Sequence, residues 1–250
     1  MPSVNTISPI VIIPARLGAQ RFPRKPLTLI KGVPMIVRVL QRAMAAQIGP
    51  VLIACCHQET KKVVEEAGGE AILTDPSLPS GSDRVMAALR MYDPQGRYQT
   101  VINLQGDLPT IDPYTLKCVV NLLNDETFDI TTVAALMHDV ADYSNPNIVK
   151  VVPGFDPQKQ ESGSALYFSR APIPYNSKVF AHHIGVYGFR RASLEAFVNA
   201  PPSYLETQEK LEQLRALELG MKVGVHMVPH TPLGVDSPAD VSIVESYLRD

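Results

Sequence analysis

The sequence predicts an α/β protein: three layers, with a mostly parallel sheet between helices and a small antiparallel extension. Short β-rich apolar runs alternate with longer amphipathic stretches through the first half of the chain. Runs such as VIIPA and TVINL are apolar without alternation, as strands covered on both faces are. In the second half the strand candidates follow one another by short connections, which suits antiparallel pairing.

Strands are expected at Ile10–Pro14, Val51–Cys55, Ala71–Leu73, Thr100–Leu104 and Ile130–Ala135, with helices at Pro34–Gln47, Gln58–Ala67, Ser82–Tyr92 and Pro113–Asn124 between them. In the first helix Met35, Ile36, Val39, Leu40, Ala43 and Met44 recur at helical spacing, and Pro34 suits the first helical position. A β-α-β-α order of this kind implies parallel strands joined by right-handed crossovers. After about Thr131 the pattern gives strands at Asn147–Pro153, Ser162–Arg170 and His182–Arg190. A long helix at Tyr204–Gly220, ended by its glycine, a strand at Lys222–Val228 and a closing helix from Pro238 to Arg249 follow. That long helix buries Leu205, Leu211, Leu214 and Leu217, and turns Glu206, Glu209 and Lys210 to solvent. The expectation is one domain over residues 1–250 containing an antiparallel lobe at about 131–190. No internal repeat, low-complexity tract or linker interrupts it.

With 250 residues, a formal net charge of −2 and a pI of about 6.3, the chain lacks the basic excess of a general nucleic-acid or membrane-surface binder. Neither nucleic acid nor membrane is expected as a partner. Cys55, Cys56 and Cys118 form no zinc-type spacing. Cys55 and Cys56 close an apolar run and read as small residues at a strand end, at home in a reducing cytoplasm. The N-terminal stretch MPSVNTISPIVIIPAR has no cationic start, and its apolar part is too short for a signal peptide or a membrane span. A cytoplasmic, soluble protein is the expectation.

Ligands of open parallel sheets bind at the carboxyl ends of the strands. The first such end carries Arg16, Arg21, Arg24 and Lys25 within ten residues. Such a loop either neutralises a polyphosphate through side chains and backbone N–H groups or is a solvated surface. It is neither GxGxxG nor a Walker loop, which argues against a dehydrogenase or P-loop NTPase. The fourth strand ends in QGDLP, where Asp107 is either a metal ligand or a turn-forming aspartate. A second carboxylate, Asp236, stands in GVDSPAD, where it or Ser237 also suits the N-cap of the last helix.

The motifs PARxxxxRxPxKPL, SGSDR, QGDxP, ALYFSR, HxGxYGF, LEQLR and GVDSPAD occur in one order from about Ile10 to Tyr247. In this the chain resembles the 3-deoxy-manno-octulosonate cytidylyltransferases, also called CMP-Kdo synthetases. PAR…K and GD recur in many sugar nucleotidyltransferases, whereas ALYFSR, HxGxYGF and LEQLR are specific to this resemblance. It implies a Rossmann-like sheet of the nucleotide-diphospho-sugar transferase type. The implied reaction is CTP plus Kdo giving CMP-Kdo and pyrophosphate, for lipopolysaccharide biosynthesis, with Mg2+ as cofactor and a homodimer as the assembly. It further implies Arg16 and Lys25 on the triphosphate, and Asp107 and Asp236 on magnesium. Ser80 and Arg84 of SGSDR, with Gln105, are implied in cytidine binding. For the sugar acid it points to His183, Tyr187, Glu212 and Gln213, and to Arg170 of ALYFSR. Asp83 is left between that cytidine loop and the cap of the following helix.

Four departures stand out. Ala19-Gln20 replaces a small hydroxyl pair, Arg24 stands where glycine is usual, and Leu108 replaces the acidic residue of QGDEP. The connection from Ser169 to His182 is shorter than usual. A metal-dependent glycosyltransferase, another class on such a sheet, would place two closely spaced carboxylates after the fourth strand, and only Asp107 is there.

Overall fold

The computed structural model describes residues 8–17 and 22–248. Its contacts divide the chain into two units, Met1–Lys117 with Pro232–Asp250, and Cys118–Thr231. Along the chain come β1 (Pro9–Ala15), a short 3-10 turn at Lys25–Leu27, β2 (Leu29–Ile30), β3 (Val33–Pro34), α1 (Met35–Ala45) and β4 (Val51–Cys55). Then follow α2 (Gln58–Glu66), β5 (Glu70–Leu73), α3 (Gly81–Tyr92), β6 (Thr100–Leu104), α4 (Pro113–Leu122) and β7 (Ile130–Leu136). A 3-10 turn at Val140–Ser144 leads to β8 (Lys150–Pro153), β9 (Ser162–Ser169), β10 (Ala181–Arg190) and α5 (Arg191–Asn199). The chain closes with α6 (Tyr204–Glu209), α7 (Leu214–Glu218), β11 (Val223–Met227) and α8 (Pro238–Tyr247).

In the first unit the strands run β5-β4-β1-β6, every pair parallel. Ile10, Val11, Ile12 and Ile13 of β1 are all 0% exposed. Each side chain so buried contributes roughly 1.5–3 kcal/mol, so β1 is the strand around which this unit packs. Ile12 stands opposite Leu52 on one side and Asn103 on the other, which lines up the carboxyl ends of β1 and β6. The α3 helix starts where Ser80 accepts from Asp83 N, so Ser80 and not Asp83 is its N-cap. The α8 helix starts with a capping box between Ser237 and Asp240, with proline in its first turn.

In the second unit the order is β10-β7-β11-β9-β8, and β8 also pairs with β10. Here β7 and β11 are parallel, while the other pairs are antiparallel. The strand pairing of the protein is therefore mixed, and the expectation of a mostly parallel sheet does not hold beyond the first unit. For β8 and β9 the reason is connection length. The short link from β8 to β9 has no room for the crossover that parallel neighbours need.

A second correction concerns the expected helix at 204–220. It is two helices, α6 and α7, because Lys210 adopts a left-handed conformation at φ 54°. The break serves Arg215. In one continuous helix Glu206 and Arg215 would lie about 13 Å apart along the axis. Instead Arg215 Nη2 is 2.6 Å and Nε 2.8 Å from the two Glu206 carboxylate oxygens. Arg215 also donates to Phe197 O at 3.2 Å and lies over the Phe197 ring at 4.7 Å. Glu206 is thus no solvated residue, and neither is Glu209, which accepts from Ser169 Oγ at 2.7 Å and Arg170 N at 3.0 Å. Leu211 and Leu214 are buried as expected, while Leu205 and Leu217 are only half-buried.

Candidate functional site

A pocket of about 250 Å³ opens at the carboxyl ends of β1 and β6 in the first unit, and its lining includes Arg16, Lys25, Ser80, Arg84, Gln105 and Asp107. Local chemistry positions each of them. Arg16 follows β1 and is exposed. Lys25 opens a 3-10 turn set by Arg24 in the left-handed conformation and by Pro26. Gly106 lets the end of β6 press against β1, since a Cβ there would stand 3.0 Å from Pro14 O. Arg84 is only 2% exposed, and its Nη1 donates to Thr74 Oγ1 at 2.5 Å and Asp75 O at 3.2 Å. Those acceptors hold the guanidinium along the pocket wall. Ser80 Oγ donates to Asp83 Oδ2 at 2.6 Å, and the Gln105 amide donates to Asn103 Oδ1 at 3.3 Å.

Asp107 and Asp236 converge on one ammonium group. Lys25 Nζ donates to Asp107 Oδ2 at 2.8 Å and to Asp236 Oδ1 at 3.1 Å. Backbone pairing brings the two acids together, since Val235 N donates to Asp107 O at 3.0 Å. Thr110 Oγ1 adds a second tie, donating to Leu233 O at 3.1 Å and accepting from Leu233 N at 2.7 Å. Val235 then packs with Ile30, Met35 and Val244, so Asp236 stands between a buried anchor and the capped start of α8. Burial by itself would lower the Lys25 pKa. The charges and hydrogen bonds of Asp107, then Asp236, outweigh it and raise the pKa above its ordinary value.

The donor set suits a hard cation. Two carboxylates already share one positive charge, and magnesium favours one or two carboxylates completed by phosphate oxygens and water. Among the described residues no three acidic, histidine or cysteine groups gather into a metal cluster. A magnesium ion held by these two carboxylates would complete its shell with phosphate oxygens and water.

In the second unit His183 and Tyr187, two of the residues expected at the sugar, meet on β10, with Glu212 acting on Tyr187 by its charge. The register of β10 against β7 shifts between Ile184 and Tyr187. On a regular strand, residues four apart stand about 13 Å from each other. The bulge brings the His183 and Tyr187 rings to 5.4 Å between centroids, and Phe168 meets His183 edge-on at 5.0 Å. His183 is 6% exposed. Burial, helped by the charge of His182, pushes its pKa down to about 3, so it is neutral at pH 7. Burial and then the Glu212 carboxylate push the Tyr187 phenol well above its usual range, which puts Glu212 within electrostatic reach of the ring. Gln213 follows at the start of α7. Gly188 of the same motif is required by packing, because a Cβ there would lie 2.7 Å from Thr131 Oγ1.

Arg170 stands apart from this group in its bonding. Its guanidinium donates to Pro146 O at 2.8 Å, Glu209 O at 3.0 Å and Lys210 O at 3.3 Å, ties that hold the break between α6 and α7. Arg24 forms an exposed ion pair with Glu59 of α2, so it turns outward. Leu108 lies against Gly234, whose Cβ would be 3.5 Å from Leu108 Cδ2. Arg21, Ala19 and Gln20 of the basic loop lie outside the described residues.

Sequence reasoning missed Asn103, Thr74, Thr110 and Thr132. Asn103 was detectable, being the one polar side chain between apolar neighbours in TVINL. It is 1% exposed and links Gln105 to Ser82. The threonines carry no comparable mark, since threonine is ordinary in strands and turns.

Residues 10–223 match the family model described as cytidylyltransferase, a class to which an α/β fold with such a pocket conforms. A 3-deoxy-manno-octulosonate cytidylyltransferase of Rhodopseudomonas palustris (strain BisB5) is 52% identical over 96% of this chain and 97% of its own. One from Paramagnetospirillum magneticum is 47% identical over 97% and 98%. Among solved structures, a CMP:2-keto-3-deoxy-manno-octonic acid synthetase complexed with CTP superposes with a TM-score of 0.87 at 33% identity, covering 96% of this chain and 98% of that one. The chain belongs to the 3-deoxy-manno-octulosonate cytidylyltransferase family.

Proposed function

We propose that this protein transfers CMP from CTP to the anomeric hydroxyl of Kdo, releasing pyrophosphate. The observation that carries the reading is that one pocket gathers Arg16, Lys25, Ser80, Arg84, Gln105 and Asp107 in its lining. Arg16 and Lys25 hold the triphosphate by charge. Ser80, Arg84 and Gln105 take the cytidine, with Arg84 presented by Thr74. Asp107 and Asp236 hold magnesium, which supplies charge neutralisation at the phosphates. The anomeric hydroxyl attacks the α-phosphorus in line: its oxygen forms the new P–O bond, its proton is lost to solvent, and the bond to the pyrophosphate leaving group breaks. Such a transfer depends on positioning and neutralisation more than on covalent help from the protein. His183, Tyr187, Glu212 and Gln213 bind the sugar acid, with neutral His183 serving as a hydrogen-bonding group and not as a cation. Arg170 steadies that region through its carbonyl contacts.

The product of this reaction serves lipopolysaccharide assembly, and a cytoplasmic homodimer is the form in which we take the protein to act. The exposed Leu166 on β9, at 59%, and Tyr175, at 99%, support a contact between copies near ALYFSR. Among the described residues no helix is long and apolar enough to cross a membrane.

The test is pyrophosphate release from the purified protein with magnesium, CTP and Kdo, beside reactions lacking the sugar or containing sialic acid or 8-amino Kdo. Release with Kdo alone is the expected outcome. Release only with another acid moves the substrate, and silence with every sugar from folded protein overturns the reading.

A further inference from the structure

Thr132 lies in β7, fully buried, with Tyr187 as its partner across the pairing. The register shift in β10 leaves Gly185 and Val186 without Cα partners on β7. A bulge of this kind disrupts the ladder and leaves backbone groups in search of partners. The Thr132 hydroxyl meets that need, with Oγ1 2.8 Å from Val186 O and 3.3 Å from Ile184 O. The same oxygen is 3.0 Å from His183 Nε2.

A hydroxyl has one hydrogen to give and two lone pairs with which to accept. Both carbonyls can only accept, so the Thr132 hydrogen goes to them, with Val186 O the nearer. Its oxygen is then left to accept from His183, and Nε2 must carry the imidazole proton. Nδ1 keeps the lone pair. The rings of Phe168 and Tyr187 fix where the imidazole lies, but a half-turn of the ring would leave those contacts nearly unchanged. The Thr132 hydroxyl distinguishes the two orientations, because the half-turn would put Cε1 in place of Nε2 beside it.

We propose that Thr132 is a positioning residue for sugar-acid recognition, using one hydroxyl to close the β10 bulge and to hold His183 as the Nε2–H tautomer, with Nδ1 free to accept from a sugar hydroxyl. The inference rests on the assignment of His183 to the sugar acid. A threonine is suited to both tasks, since its methyl fills the strand position while its hydroxyl turns to the bulge.

The experiment combines 15N-histidine NMR with steady-state kinetics on the full chain. Wild-type His183 is expected as the Nε2–H tautomer, and a proton found on Nδ1 overturns the proposal before any variant is made. In Thr132→Val the tautomer signature should shift or mix, and KM for Kdo should rise about tenfold, the scale of one lost hydrogen bond. KM for CTP should stay unchanged, and Thr132→Ser should restore both properties. An unchanged valine variant, a serine variant as impaired as valine, or a parallel rise in both KM values rejects the positioning role. His183→Ala separates the underlying reading: if KM for Kdo does not move there, His183 is no sugar ligand and the recognition role of Thr132 falls with it.

Discussion

Lys25 Nζ lies 2.8 Å from Oδ2 of Asp107, and the same ammonium reaches Asp236. The chain thus places its own cation at the point on which both proposed metal ligands converge. Lys25→Met removes that competitor. Binding of Mn2+ to nucleotide-free protein, followed by electron paramagnetic resonance, should tighten roughly 5-fold, the scale of an ion pair worth about 1 kcal/mol. CTP binding should weaken in the same variant. Weaker Mn2+ binding would mean that Lys25 organises the acids instead of occupying their place.

Asp107→Asn keeps the shape of the loop and removes one negative charge from it. With saturating magnesium, CTP and Kdo, turnover should fall about 10²- to 10³-fold, as when one preorganised electrostatic group is lost. Turnover within a factor of two of wild type would take Asp107 out of the metal site.

Glu206 and Arg215 form an ion pair with side chains 13% and 7% exposed. Removing one partner of such a buried pair costs about 3–5 kcal/mol, because the remaining charge loses its principal partner, Glu212 standing farther off at 4.0 Å from Arg215. Denaturant unfolding of Glu206→Gln should show a loss of that order, while CTP affinity is retained. A loss under 1 kcal/mol would show that the break between α6 and α7 does not depend on this pair.

His183 couples the fold to acid. Its pKa falls from 6.5 to about 3 in the folded chain, so between these values the unfolded chain binds the extra proton. Stability is therefore fully present above about pH 6.5 and falls as pH is lowered, by about 1.4 kcal/mol per unit from this residue. Comparing unfolding at pH 6.5 and 4.5, His183→Gln should lose about 2–3 kcal/mol less than wild type. Equal acid sensitivity would place His183 in contact with solvent.

Much of this architecture was legible because the first unit obeys local rules. Val51–Cys55 and Thr100–Leu104 are apolar runs bounded by turn residues, and the strands fall at those positions. Gly106 and Asp107 follow such a run, so their place at a strand end was readable. The same rules failed at Lys210, where a sequence with good helical periodicity is interrupted to let Arg215 reach Glu206. Periodicity reports which face a residue occupies, not whether a distant charge has been satisfied. Helix α5 and the β2–β3 hairpin escaped notice because their short segments carry too few repeats to establish a period.

The main strands of the first unit, the helices between them, and the places of Asp107 just after β6 and Asp236 just before α8 were legible in the sequence alone, since each depends on neighbours within a few residues. Tertiary structure decided that Lys25 meets both acids, that Arg84 is held by Thr74, and that a bulge in β10 brings His183 to Tyr187. Those relationships join residues tens to hundreds of positions apart or depend on a slip in register. Their energies come from desolvated charge and unmet backbone hydrogen bonds, which exist only once the chain has closed around them.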